Sequence, residues 1–225
     1  MSFSDSNAFG STMAAKLTNQ LRDDIISHRI KPGSRLTVKE VSDRYGVSSM
    51  PVREAFFMLS GENFLELNPY KGATVIAATP EMVAQINDLQ YALESLLLEL
   101  CFKKGYSSEL LDELERINQE MDIEVRQKKD LSDSKRVQLN MQFHRTEYSL
   151  CEDHMAYRLF ERNLNQLGAI RRHYELDQIR AAQTVQEHQQ IIQALRNNDL
   201  ISAAIVTKQH TLNSKRYALT EKYDD

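Results

Sequence analysis

All four prolines (Pro32, Pro51, Pro69 and Pro80) and five of the seven glycines fall within the first 80 of 225 residues. The 145 residues that follow contain only Gly105 and Gly168. A segment so poor in turn formers cannot supply the many tight reversals of a β-sandwich or barrel. It is confined to long helices joined by few connections. The chain therefore divides near Pro80. A punctuated module of short elements is expected over 11–78, and an all-helical one over 79–225. The expected fold class is mainly α.

Charge and composition narrow the function classes. A chain that is 41% hydrophobic and 27% charged can bury a core in each half. The first 80 residues carry 9 Lys and Arg against 8 Asp and Glu, and the rest carry 19 against 24. Neither half is basic enough for a histone-like or polybasic membrane binder, but a local basic face on the N-terminal module stays open. Cys101 and Cys151 lack C-x-x-C spacing, which argues against a disulfide framework and against a cysteine zinc site. No apolar run approaches the ~18 residues needed to cross a bilayer. The first residues lack the basic and apolar regions of a secretory signal. No membrane partner and a cytoplasmic location are the expectations.

Within the N-terminal module, Leu17, Leu21, Ile25 and Ile26 recur at helical spacing, and Pro32-Gly33 is expected to end that helix. A second helix is expected from Val38 to Tyr45, closed by Gly46. A third is capped by Ser48 or Ser49, tolerates Pro51 in its first turn and stops at Gly61. Its buried face is Val52, Ala55, Phe56 and Leu59. Two β-prone runs, Phe64-Leu65-Glu66-Leu67 and Ala73-Thr74-Val75-Ile76, flank a five-residue turn and read as a hairpin. Short helices followed by a hairpin describe a winged helix-turn-helix.

Four stretches carry a more specific signal. They are Leu21-Arg22-Asp23-Asp24-Ile25, Lys31-Pro32-Gly33-Ser34-Arg35-Leu36, Val47-Ser48-Ser49-Met50-Pro51-Val52-Arg53-Glu54-Ala55 and Tyr70-Lys71-Gly72-Ala73-Thr74-Val75. In this order and at this spacing they resemble the DNA-binding domain of the GntR family of bacterial regulators. The resemblance implies a double-stranded DNA operator as partner, read by the start of the third helix. There Ser48, Ser49 and Arg53 reach the major groove, and Arg53 can pair with guanine O6 and N7. Arg35 and Lys39 can hold the phosphate backbone, though Arg35 also reads as a plain solvated loop charge. Lys71-Gly72 forms the wing tip, where glycine would allow close approach to the minor groove. Ser49 stands where many members carry a second Arg, which removes one strong contact.

The remaining chain reads as six helices in an antiparallel bundle. Thr79-Pro80 opens the first, with an expected apolar stripe of Met82, Ile86, Leu89, Leu93, Leu96, Leu97 and Leu100. Ser107 or Ser108 opens the second. The others run from about Asp133 to Cys151, Met155 to Leu176, Ala181 to Arg196 and Asp199 to Tyr223. Asn140 and His144 are four apart and share a helical face. His188 and His210 follow on the last two helices. Singly, each histidine is more often a satisfied core or surface residue than a ligand.

Together these segments resemble the FCD domain of the FadR subfamily of GntR regulators, in which such positions coordinate a divalent metal. The resemblance implies Asn140, His144, His188 and His210 as ligands of Zn, Ni, Mn or Fe. It also implies a small-molecule effector, a carboxylate, near Gln90 and Arg171. Two departures stand out. Asn140 replaces the usual Asp and brings no negative charge, and Gln90 stands where an Arg is common. Arg171 and Arg172 offer compensating charge, or are simply exposed. The resulting expectation is a homodimeric, effector-responsive repressor on a near-palindromic operator, not an enzyme. The rivals are a metal-free bundle that only dimerises and, more remotely, a metalloenzyme. The metalloenzyme lacks a general base if Glu187 points away from the histidines.

Overall fold

A computed structural model describes residues 12–27, 29–31, 33–76, 79–127, 134–171 and 178–223. The chain forms two compact units, Met1–Ala78 and Thr79–Asp225.

In the first unit, α1 (Met13–Ile26) starts at Thr12, whose hydroxyl accepts from the Ala15 amide. It buries Leu17, Leu21 and Ile25. The helix stops at Ile26, well before Gly33, and Pro32 lies outside the described residues. Thr37 and Glu40 form a capping box that opens α2 (Val38–Tyr45), and Gly46 closes it in the left-handed conformation at φ 66°. Ser48 precedes α3 (Ser49–Gly61) but makes no side-chain cap hydrogen bond. The buried face of α3 is Val52, Ala55, Phe56 and Leu59.

Two polar clamps hold these helices together. Arg22 reaches Glu62 with both Nε and Nη2, each at 2.7 Å, tying α1 to the end of α3. Asp24 accepts from Gln20, Arg29 and the Tyr45 hydroxyl, tying α1 to α2. Burial pulls the Asp24 carboxyl up, but the hydrogen bonds from Tyr45, Arg29 and Gln20 outweigh it and hold the group below its ordinary value. The hairpin β2 (Leu65–Asn68) and β3 (Gly72–Val75) is joined by a third strand, β1 (Arg35–Leu36). The order is β1-β3-β2, all antiparallel, with Arg35 opposite Thr74 and Glu66 opposite Thr74 on the other side. A two-residue strand has no periodicity to read, so sequence showed only the hairpin.

The second unit is α4 (Pro80–Lys104), α5 (Ser108–Gln127), α6 (Ser134–Glu147), a single 3₁₀ turn (Ser149–Cys151), α7 (Met155–Arg171), α8 (Gln178–Arg196) and α9 (Leu200–Tyr223). Thr79 caps α4 and Pro80 sits in its first turn. Helix α4 packs on α7 and α9, α5 on α6 and α8, α8 on α9, and α6 on α7. The third bundle helix is shorter than expected, because the chain tightens to 3₁₀ after Glu147. Helix α7 is described from Met155 to Arg171, and its expected end at Leu176 falls among 172–177, outside the described residues. Helix α8 begins three residues early, at Gln178.

The α4 stripe also needs correcting. Leu89 and Leu96 are 51% and 44% exposed, whereas Asn87, Gln90 and Glu94 are buried beside Val83, Ile86, Leu93, Leu97, Leu98 and Cys101. The buried face is therefore rotated from the leucine-rich one, and its middle is polar. A similar order recurs on α7, where Phe160 precedes buried Asn163 and Gln166, with Leu164 between those two, and Leu167 and Ile170 follow. On α9, Ala203 precedes buried Thr207, His210 and Thr211, then Ala218. Two apolar clusters result, a large one containing Leu97, Phe143, Phe160 and Ile191 and a small one of Val83, Ile86, Leu167, Ile170 and Ala218. Between them along the helices runs a buried polar layer. Apolar packing alone gives no reason for such a layer, because each buried polar group must be hydrogen-bonded or costs free energy.

Candidate functional site

The polar layer centres on three imidazoles. His144 projects from α6, His188 from α8 and His210 from α9, with residue exposures of 2%, 0% and 2%. Their ring centroids stand 5.1, 5.1 and 5.0 Å apart, nearly an equilateral triangle. One ligand atom from each lies within 4.8 Å of the others. Small ring rotations would bring all three to the ~2.0–2.1 Å of a metal–imidazole bond. Asn140 is buried one turn before His144 on α6. Phe143 stacks on His188 at 3.8 Å with only 2° between the rings, which fixes that imidazole's plane.

Carboxylates stand behind two of the rings. His210 Nδ1 lies 2.7 Å from Glu187 Oε2. Glu187 also receives Arg180 Nη1 at 3.1 and 3.0 Å, Arg180 Nη2 at 3.0 Å and Asn213 Nδ2 at 2.7 Å. His144 Nδ1 lies 3.2 Å from Glu147 Oε2 and 3.8 Å from Glu94 Oε1. With Nδ1 carrying the ring proton and donating to its carboxylate, each imidazole presents the Nε2 lone pair for coordination. This carboxylate–histidine arrangement is the one that orients metal ligands and raises their basicity. Complete burial pushes the Glu147 carboxyl up to about 8.

These residues fit a divalent metal. Three neutral nitrogen donors, two of them oriented from behind and all enclosed by the bundle, suit Zn, Ni, Mn or Fe. Glu187 was expected to point elsewhere because it adjoins His188. Consecutive side chains do diverge by about 100° on a helix, but α8 packs against α5 on one flank and α9 on the other. Glu187 faces α9 and reaches the far side of His210. Its oxygens are engaged by Arg180, Asn213 and His210, so it serves as a support for the ring. Arg180, Asn213 and Glu147 were likewise missed, although Glu147 lies three residues after His144 and Arg180 seven before Glu187, spacings that share a helical face.

Gln90 is buried and engaged at both ends. Its Nε2 donates to Glu94 Oε1 at 2.7 Å, and its Oε1 accepts from Asn163 Nδ2 at 2.7 Å. It thus extends the polar layer from α7 through α4 to Glu94, beside His144. Arg171 is the last described residue of α7, its side chain lies outside the described side chains, and Arg172 lies outside the described residues.

In the N-terminal unit, Arg35, Arg53, Lys71 and Gly72 line one groove of about 670 Å³ between α3 and the wing. Tyr70 lines it too, as do Thr37 and Phe57, which sequence reading passed over. Phe57 is 68% exposed, and Tyr70 stands fully exposed at the tip of the turn with φ 61°. Arg35 Nε donates to the Lys71 carbonyl at 3.0 Å, so this cation braces the wing turn. Lys39 and Ser49 are exposed outside that groove, Lys39 with Asp43 at 3.6 Å, and Ser48 lines a separate hollow with Thr12 and Pro51. Gly72 has a reason internal to the fold. Its φ is 88°, and a Cβ there would lie 2.0 Å from the Leu36 carbonyl oxygen.

Comparisons with known proteins agree with this anatomy. Residues 13–75 match the family described as bacterial regulatory proteins of the gntR family, and residues 85–213 match the FCD domain. The uncharacterized HTH-type transcriptional regulator YdhC of Bacillus subtilis is 27% identical over 196 residues, 86% of this chain and 84% of that protein. The HTH-type transcriptional regulator McbR of Escherichia coli is 28% identical over 119 residues, 50% of this chain and 54% of that one. Among solved structures, E. coli McbR/YncC superposes with a TM-score of 0.68 at 20% identity, over 92% of this chain and 97% of that chain. Listeria monocytogenes Lar does so with a TM-score of 0.70 at 18% identity, over 94% and 98%. The relatives and families are transcriptional regulators, not enzymes. No helix among the described residues is long and apolar enough to cross a membrane. The chain is a DNA-binding transcriptional regulator that belongs to the GntR family, with a C-terminal FCD domain.

Proposed function

We propose that operator binding by this regulator is controlled by a carboxylate effector that enters the C-terminal bundle over a divalent metal. The observation that carries this reading is the triangle of buried imidazoles, two of them backed by carboxylates, within a polar layer of the bundle. The ligand atoms come from His144, His188 and His210, with Asn140 as the oxygen donor. Such a set is neutral, so a bound cation retains its charge and attracts an anionic oxygen ligand at its open positions. Gln90 and Arg171 are the effector contacts in this reading. The protein acts as a homodimer of the FadR subfamily, in the cytoplasm, as a repressor on a near-palindromic operator whose half-sites follow the two-fold axis. Arg35, Lys39 and Lys71 hold the backbone, Ser48, Ser49 and Arg53 face the bases, and Gly72 shapes the wing.

A gel shift on the DNA flanking the protein's own gene, with and without chelator and a panel of carboxylic acids, tests this. The expected result is specific binding whose midpoint moves only when metal and one of the acids are both present. Arg53→Ala is expected to weaken specific binding by ~1–3 kcal/mol, and an unchanged midpoint would remove Arg53 from the reading face. In a separate melting assay, stripped protein should gain thermal stability on addition of Zn or Ni, because a ligand of the native state must stabilise it. No bound metal on elemental analysis and no shift on addition would favour a bundle that only dimerises.

A further inference from the structure

Cys101 on α4 and Cys151 at the end of the 3₁₀ turn are 50 residues apart in sequence, yet their Sγ atoms lie 3.1 Å from each other. The Cys101 thiol also faces the Tyr148 carbonyl at 3.7 Å. Both cysteines are free thiols and buried, at 0% and 2% exposure. Neither belongs to the histidine layer. A disulfide needs the sulfurs to close to ~2.05 Å, a movement of about 1 Å that side-chain rotation can supply.

We infer that Cys101 and Cys151 are a modification site: a dithiol that a small hydroperoxide converts to a reversible disulfide, tying α4 to the chain just after α6. Burial favours a small oxidant, since a peptide disulfide cannot reach sulfurs this enclosed. The deprotonated sulfur of one cysteine attacks the peroxide. An S–O bond forms, the O–O bond breaks, and the departing oxygen leaves as water or alcohol, giving a sulfenic acid. The second sulfur then attacks the first; the S–S bond forms, the S–O bond breaks, and water leaves with the second thiol's proton. Two electrons pass from the sulfurs to one peroxide. Burial and the neighbouring Cys151 sulfur push the Cys101 thiol up. The closed loop contains α5 and α6, and therefore His144.

The test uses the full chain, exposed to hydrogen peroxide, quenched with a thiol alkylator and mapped by mass spectrometry. The expected product has lost two hydrogens, carries no alkyl group, and yields the Cys101 and Cys151 peptides joined. Dithiothreitol should reverse it. The melting temperature should rise by about 5–10 °C on oxidation, from the constraint on the unfolded loop. Alkylation of both cysteines after peroxide, or oxygen added to one sulfur without a cross-link, overturns the proposal. Cys151→Ser should show neither the cross-link nor the peroxide-dependent shift, and a shift that persists in it also overturns the proposal. If that variant does not fold, the peptide map of the wild-type chain decides alone.

Discussion

Glu187→Gln is expected to lower the stability of the C-terminal unit by about 3 kcal/mol, and the affinity for a divalent metal by about 10–100-fold. The stability loss follows from Arg180, which is 5% exposed and directs both terminal nitrogens at the Glu187 carboxylate. Removing the negative charge takes away the carboxylate that three of the guanidinium's hydrogen bonds reach, and breaking a buried pair from one side costs far more than the pair contributes. In a unit of this size the change corresponds to a fall in melting temperature of about 6–12 °C. The affinity loss has a separate cause. Glutamine can still accept from His210 Nδ1, so the ring keeps its orientation but loses the charge that raises its basicity. Pairing the change with Arg180→Met separates the two effects. In Arg180→Met/Glu187→Met the buried charge is gone, so much of the stability should return, while metal affinity stays low. A double variant whose stability does not recover would mean that Glu187 acts through Asn213 and the α8–α9 packing instead.

How much of this was legible in sequence depends on the kind of residue. The three histidines were found because their order along the last helices resembles a family pattern, and histidine is rare in this chain, with 6 in 225 residues. The helix start at Thr79 and Pro80, and the stop at Gly46, were legible because capping chemistry is local. What escaped lies in tertiary structure. Leu89 and Leu96 outrank Gln90 and Glu94 on any hydrophobicity scale, so a stripe drawn by apolarity selects the wrong face of α4. The bundle inverts that preference because Gln90 is held between Asn163 and Glu94, and Glu94 flanks His144. Glu187 was misjudged for a related reason. Helical periodicity says where a side chain points on its own helix, but not that a second buried helix waits there. In the N-terminal unit, β1 is two residues long and exists only as a partner for β3.

That strand also makes the wing's one indispensable glycine testable. Gly72→Ala is expected to destabilise the N-terminal unit by ~2 kcal/mol or more and to abolish specific DNA binding, with metal binding by the C-terminal unit unchanged. A positive φ costs a residue with a Cβ on the order of 1–2 kcal/mol. Here the added carbon would also sit 2.0 Å from the Leu36 carbonyl oxygen and 3.0 Å from Thr37 Cα, both backbone atoms. Backbone cannot rotate aside as a side chain can, so β1 must separate from β3 at the Leu36–Ala73 pairing. Arg35 lies on β1 and braces the Lys71 carbonyl, and its loss of register would release the wing turn with it. Gly61→Ala is the matched control. Gly61 ends α3 without a positive φ, and nothing lies within 4 Å of a Cβ built there. That change should be neutral or stabilising by up to ~1 kcal/mol. Melting curves and gel shifts on the two variants compare the same substitution in opposite settings. If Gly72→Ala melts and binds DNA like Gly61→Ala, β1 does not hold the wing in place and Arg35 must act on DNA independently of it.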